Sequence, residues 1–363
     1  MALTQVSPGM LASDSQYTGF KNRIINGAMV IDQRNAGASV TLPDGAAGGA
    51  YPVDRWFCSR ASTATATAQQ SSSAPAGFTN SFVITNGTGI SVGSTGQGYA
   101  IQFIEGFNSA DLGWGTASAQ AVTLSFWVRS SITGTHSGAF WNNGFNRSYP
   151  FTYTISSANT WEQKSITIPG DTSGTWIGAT NGRGICLSFN NGSGSTYLGT
   201  AGSWASAGYY GATGSVALNS VTSSTWYVTG VQLEKGSTAT SFDYRPYGTE
   251  LNLCQRYCQV IANQGYETLI GIGMCLANNR VLTDVSLKVQ MRTQPSVTLV
   301  GTTSQIQNIS SGGSWYGAQS VNYSPNPYIV RLDINYAAGY FTAGYAAETR
   351  IETSTSLVIS AEL

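Results

Sequence analysis

The chain has one histidine, so any acid–base relay built on imidazole must use His136, in Thr133-Gly-Thr-His-Ser-Gly138. No Ser or Cys occupies a Gly-x-Ser-x-Gly elbow opening onto a helix, and Gly192-Ser-Gly-Ser-Thr196 lacks that context. Paired carboxylates are the other route, because glycoside hydrolysis needs two of them across the scissile bond. Glu105, Asp111, Glu162 and Asp171 have the right chemistry, but no local signature pairs them. The reading is of a chain with no catalytic residue, not an enzyme. The five cysteines, Cys58, Cys186, Cys254, Cys258 and Cys275, form no disulfide framework. Cys254 and Cys258 read as buried thiols on a helix face rather than zinc ligands. No Asp-rich calcium loop is present, although Asp32, Asp54 and Asp243 near strand ends leave a structural calcium open. No other cofactor is expected.

Aromatic rings in Gly-rich loops carry more chemistry. Trp114 stands in Leu-Gly-Trp-Gly, Trp141 in Phe-Trp-Asn-Asn-Gly and Trp204 in Gly-Ser-Trp-Ala-Ser. Tyr197 stands in Ser-Thr-Tyr-Leu-Gly, and Tyr209 and Tyr210 in Ala-Gly-Tyr-Tyr-Gly. Trp315 and Tyr316 stand in a Ser/Gly-rich stretch from Ser310 to Gly317, read as a loop. Sugars stack C–H faces on such rings while Asn, Gln and Asp bond the hydroxyls. These eight are the candidate glycan contacts. Tucking onto the sandwich edge, or into a subunit contact, is the structural alternative for each. Trp56, Trp127, Trp161 and Trp226 fall within strand patterns and read as core.

The elements that position these rings are short strands. Period-two runs recur at Asn22–Arg34, Val53–Ser59, Ser81–Thr85, Gly98–Ile104, Val122–Arg129, Ser148–Ile155, Trp161–Ile168, Gly184–Phe189 and Thr225–Glu234. Gly/Asn/Ser clusters separate them, which argues for an antiparallel two-sheet sandwich. The period then changes. Leu251, Cys254, Tyr257, Cys258 and Ile261 recur at three and four residues, predicting one amphipathic helix over 248–262. Thr249 is placed to cap it, and Glu250 suits its first turn. Beyond it, Thr268–Leu276, Val281–Met291, Ser296–Val300, Tyr328–Tyr336 and Leu357–Leu363 predict a second, smaller β-sandwich domain over 263–363.

Charged residues are 9% of the chain, against about 25% in ordinary soluble domains. Net charge is zero and there are four lysines, so no basic stripe exists for nucleic acid. Apolar runs are far short of a membrane span, so no membrane insertion is expected. The N-terminus lacks a charged-then-apolar leader, which implies folding in a cytoplasm. Weak electrostatic repulsion between copies favours self-association.

Two blocks carry a family resemblance. Val228-Thr-Gly-Val-Gln-Leu-Glu-Lys-Gly-Ser-Thr-Ala-Thr-Ser-Phe-Asp-Tyr-Arg-Pro246, followed by Leu253-Cys-Gln-Arg-Tyr257, resembles a segment of tailed-bacteriophage tail fibre proteins. Asn22-Arg-Ile-Ile-Asn-Gly-Ala-Met-Val-Ile-Asp-Gln-Arg34, with Tyr51-Pro-Val-Asp-Arg-Trp56, resembles their opening. Between the blocks, Val122–Arg129 and Trp161–Pro169 are similar to core strands of a carbohydrate-binding jelly roll, which implies that fold for residues 22–247. The resemblance implies a homotrimer in the virion tail, made in the host cytoplasm. Residues 1–21 would attach to phage tail or baseplate proteins. A β domain would bind a host surface polysaccharide, and the C-terminal one is expected to be the receptor-binding head. A neck or capsid fibre without a receptor role, and a glycan-cleaving tailspike, are the competing readings.

Overall fold

The computed structural model describes residues 20–61, 63–262, 268–309, 312–337, 339–352 and 355–363. The segment expected to attach to the virion lies almost wholly outside the described residues. The chain forms two compact units, one running to Glu250 together with Leu363, the other from Leu251 to Glu362.

The first unit is a jelly-roll β-sandwich. Its strands are β1 (Val40–Thr41), β2 (Ala50–Val53), β3 (Trp56–Ser59), β4 (Ala66–Ser71), β5 (Ser81–Asn86), β6 (Tyr99–Glu105), β7 (Val122–Ser130), β8 (Gly134–Trp141), β9 (Ser148–Ile155), β10 (Glu162–Ile168), β11 (Arg183–Asn190), β12 (Leu198–Gly199), β13 (Gly211–Ala212) and β14 (Thr225–Lys235). One sheet has the order β1-β4-β5-β14-β7-β10, the other β2-β3-β6-β11-β8-β9. The pairings within both are antiparallel. Alternation explains the layering. Along β7, Val122, Leu124, Phe126 and Val128 enter the core, while Thr123, Ser125, Trp127 and Arg129 fall on the outer face. Trp56, Phe82, Phe140, Phe189, Trp226 and Leu233 fill the space between the sheets.

Residues 22–34 form turns, not the strand their weak alternation suggested. Asn26 and Met29 both take φ of 58°, which no strand accommodates. Asn26 instead donates its side-chain amide to the Ile31 and Asp54 carbonyls at 2.8 and 2.9 Å and accepts from Ile31 N at 3.0 Å. The two blocks that carry the family resemblance interlock here. Asn22 caps the bulge of β14, donating to Val231 O at 3.1 Å and accepting from Leu233 N at 3.1 Å. Asp243 accepts from the backbone N–H groups of Lys21 and Asn22 at 2.9 and 3.1 Å. Arg245 donates to the Asn22 and Ile24 carbonyls and pairs with Glu250, which accepts from Asn26 N. A Cβ on Gly27 would lie 2.1 Å from the Val231 carbonyl oxygen, so only glycine lets the segment run this close. Glu234 accepts from Thr240 and Gln232.

Helix α1 (Tyr247–Gln255) is shorter than the spacing predicts. Thr249 and Glu250 both donate their N–H to Pro246 O, so Pro246 holds the cap position and Thr249 sits inside the first turn. Tyr257 N reaches back only to Cys254 O, and the chain then extends into β15 (Cys258–Ala262). Cys258 and Ile261 are therefore strand residues: β15 pairs with the last strand, and the β-branched Val260-Ile261 pair suits that ladder. Cys254, Tyr257 and Cys258 are buried, whereas Leu251 is only half-buried.

The second unit continues with β16 (Thr268–Ala277), β17 (Arg280–Ser286), β18 (Ser296–Val300), β19 (Ile306–Ile309), β20 (Trp315–Gly317), β21 (Ser320–Pro325), β22 (Ile329–Asn335), β23 (Ala346–Ile351) and β24 (Ser356–Ser360). A seven-stranded sheet, β20-β19-β23-β16-β17-β22-β21, faces a three-stranded one, β15-β24-β18. Val281, Leu332, Ile334, Ile351, Leu357 and Ile359 form the core between them. Trp315 and Tyr316 thus lie on a strand, correcting the loop reading at Trp315–Gly317, while Ser310 and Ser311 lie outside the described residues.

Candidate functional site

Among the described residues, no hydroxyl or thiol is hydrogen-bonded to the imidazole. His136 lies on β8, 1% exposed, its ring stacked on Tyr153 at 5.6 Å and its Nε2 2.9 Å from the Ile132 carbonyl. Burial pushes its pKa down, against the smaller opposite effect of that hydrogen bond. The neutral ring is therefore the form folding selects. Stability from His136 is complete above its unfolded pKa of about 6.5 and is lost as pH falls through the lower folded value. His136→Phe should flatten the decline of melting temperature between pH 7 and 4.5 relative to the parent. Parallel curves for the two proteins would show that the imidazole does not titrate on unfolding.

Three of the four carboxylates considered for hydrolysis are dispersed into structural ion pairs. Asp171, 1% exposed on its side chain, holds the Arg147 guanidinium through two bonds of 2.7 Å. Partial burial works against ionisation of Asp111, but Arg23 and Lys235 outweigh it and hold the carboxyl below the usual range. For Glu162 burial likewise works against ionisation, and Lys164 together with the Ser156 and Ser157 N–H groups outweighs it. Glu105 is buried at the end of β6. Asp111 and Glu162 are thus held in the ionised form, opposite to what a general acid requires. Asp32, Asp54 and Asp243 are likewise spent on local bonds, Asp54 to Arg34 and Asp32 to the Asn35 and Gly37 N–H groups. Among the described residues, no group of three or more His, Cys, Asp or Glu side chains could hold a metal ion.

Seven of the eight candidate rings fall into three places. Trp114 and Trp204 meet Trp176 edge-on, with centroids 4.8 to 5.6 Å apart, and all three indole N–H groups donate within the protein. A cavity of about 50 Å³ beside Trp114 and Trp176 has room for water but not for a sugar ring. In the second unit the strand β20 sends Trp315 and Tyr316 to opposite faces. The Arg350 guanidinium covers the Trp315 ring at 3.9 Å, and Tyr316 stacks on Tyr340 at 3.8 Å against the core.

The third place gathers Trp141, Tyr197 and Tyr210. Trp141 is the last residue of β8 rather than a loop residue, and Tyr197 ends a 3-10 turn. They join Tyr51, Phe57, Tyr99, Phe103 and Phe145 in a continuous ring layer on the outer face of the β2-β3-β6-β11-β8-β9 sheet. Centroid separations run from 4.5 Å for Tyr99–Tyr210 to 6.4 Å for Phe57–Tyr99. Gln97 donates to the Tyr197 hydroxyl at 3.1 Å and accepts from the Tyr210 hydroxyl at 3.4 Å, fixing an amide amid the rings. The Trp141 Nε1 donor is buried with no partner among the described residues. Tyr99, Phe103, Trp141 and Tyr210 are buried, while Tyr51, Phe57, Phe145 and Tyr197 are half-buried. Tyr209 stands apart from the layer, packed on Gly199.

No protein-family model matches the chain, and no curated protein matches it. Among solved structures, the enzymatically active domain of bacteriophage CBA120 tailspike protein 4 is similar at 14% identity and TM-score 0.32, over 59% of this chain. This chain spans only 21% of that one. A putative sugar binding protein from Bacteroides thetaiotaomicron aligns over 60% of this chain and 100% of its own, at 10% identity and TM-score 0.31. The family 11 carbohydrate-binding module of Clostridium thermocellum aligns over 56% and 100%, at 14% identity and TM-score 0.27. What this chain binds must therefore be argued from its own side chains.

Sequence reasoning found three members of the ring layer from their loop contexts and missed five. The missed signal lies in β6, whose Tyr-Ala-Ile-Gln-Phe-Ile-Glu is buried throughout. A strand apolar on both faces needs cover on both. Trp127 and Trp161, read as core, are half-buried on the outer face of the other sheet, whereas Trp56 and Trp226 are core as expected.

Proposed function

We propose that this chain is a non-enzymatic part of a phage tail fibre that binds a host surface glycan through the ring layer of its first unit. One observation carries the reading. The space between the two sheets is already filled by its own core, so eight further rings on the outside of one sheet are not needed to close the sandwich. Half-buried Phe57, Phe145 and Tyr197 offer faces for stacking, and the fixed Gln97 amide offers bonds to hydroxyls. Support thus moves from the C-terminal head toward the first unit, because Arg350 already occupies a face of Trp315. The fibre role, the homotrimer and attachment to tail proteins rest on the sequence resemblance. The engaged carboxylates favour binding over a cleaving tailspike.

Adsorption competition with purified protein tests this reading. Tyr197→Ala should weaken binding to host cells about five- to tenfold, the loss of roughly 1 kcal/mol per sugar–ring contact. Trp315→Ala should bind like the parent. The opposite ranking would move the receptor surface to the second unit. Release of reducing sugar would restore the tailspike alternative.

A further inference from the structure

The outer face of the other sheet of the first unit carries a different arrangement. Cross-strand pairing puts Arg129 opposite Tyr227 and Trp127 opposite both Thr229 and Gln163. Trp161, just before β10, meets the Tyr227 ring edge-on at 6.0 Å. The Arg129 guanidinium lies 5.0 Å from the Tyr227 centroid. One wall is the 73–80 segment, where Ser73 Oγ accepts from Arg129 at 3.0 Å and the Asn80 carbonyl accepts from Thr229 at 2.7 Å. The three rings are half-buried, neither sunk into a core nor standing free. The surrounding outward positions are Thr67, Gln69, Thr85, Gln163 and Ser165, all uncharged.

Arg129 differs from the seven arginines that carboxylates hold. Arg23, Arg34, Arg147, Arg245, Arg280, Arg331 and Arg350 each pair with a carboxylate. Arg129 has no carboxylate partner among the described residues, and its buried Nε has no acceptor. A guanidinium is charged at any working pH and offers a planar fork that matches a carboxylate. Ring faces for C–H stacking beside a guanidinium that no carboxylate neutralises form a surface for a saccharide bearing a negative charge. We propose that Trp127, Arg129, Trp161 and Tyr227 form a second saccharide site, specific for acidic sugars of the uronate or sialate type. Arg129, resting on the Tyr227 ring, takes the carboxylate, and Trp127 and Trp161 take the pyranose face. This site does not depend on the ring layer of the opposite sheet.

The test is calorimetric titration of the full chain with oligogalacturonate, oligoglucuronate, oligomannuronate and sialyl-lactose, each beside its carboxyl-reduced form. Expected is measurable binding of at least one acid form, at least about tenfold tighter than its reduced form and weakened by added salt. Arg129→Gln should abolish that preference, and Trp161→Ala should weaken binding of the acid about fivefold or more. Both variants should keep the parent's melting temperature within a few degrees. Tyr197→Ala should bind the acid like the parent, which separates this site from the ring layer. Equal binding of acid and reduced forms overturns the proposal. So does an Arg129→Gln protein that keeps the preference, or an absence of binding to all four acids at millimolar concentration.

Discussion

Arg245→Ala is expected to lower the melting temperature of the first unit by roughly 10 °C, corresponding to a loss of about 3–5 kcal/mol. Arg245 and Glu250 are 4% and 10% exposed on their side chains, so they pair out of water. The guanidinium also bonds the Asn22 and Ile24 carbonyls. Truncation strands two carbonyls and a carboxylate together, and stranding a buried charge is what makes such losses large. Arg245→Lys should lie between parent and alanine, because one ammonium cannot span the carbonyls and Glu250 with a fork's geometry. A melting curve unchanged within about 1 °C would mean that the opening and closing blocks are not held together here.

Trp56→Ala is expected to cost a similar amount, about 3–5 kcal/mol, by opening a cavity in the middle of the sandwich. Trp56 is fully buried, with Phe189 and Phe82 rings at 6.3 and 6.5 Å, and its indole N–H donates to the Asn26 carbonyl at 3.2 Å. It therefore supports the same corner that Arg245 clasps. The two substitutions should be non-additive in combination, since both act through the 22–26 segment. Trp127→Ala, on the outer face, is expected to cost far less. Equal losses from Trp56→Ala and Trp127→Ala in chemical denaturation would contradict the assignment of inner and outer faces.

Strands were legible wherever side chains alternate between a core and an outer face. β7 and β14 show this best, with Val122, Leu124, Phe126 and Val128 against Trp226, Val228, Val231 and Leu233. β8 was illegible because its Gly134-Thr-His-Ser-Gly-Ala run resembles a loop. Gly138 is in fact demanded by packing, since a Cβ there would lie 2.2 Å from the Ser188 carbonyl and 2.5 Å from the Phe151 ring. The helix was overextended because Tyr257, Cys258 and Ile261 continue its spacing while hydrogen bonding has already turned the chain into β15. Alternation in 22–34 was weak for a reason: an Asn with positive φ and a bonded side chain replaces the ladder. The ring layer was half-legible. Loop-like neighbours exposed Trp141, Tyr197 and Tyr210 as unusual, but Phe57, Tyr99 and Phe103 look like ordinary strand residues until the sheet places them on one face.

The central claim is that the ring layer binds a glycan. Its most direct test is titration of host surface polysaccharide into the intact protein and into a Phe145→Ala/Tyr197→Ala double variant with an unchanged far-ultraviolet spectrum. Saturable binding by the parent is expected, with a loss of about thirtyfold in the double variant, two ring contacts at roughly 1 kcal/mol each. Binding of equal strength by both proteins would contradict it.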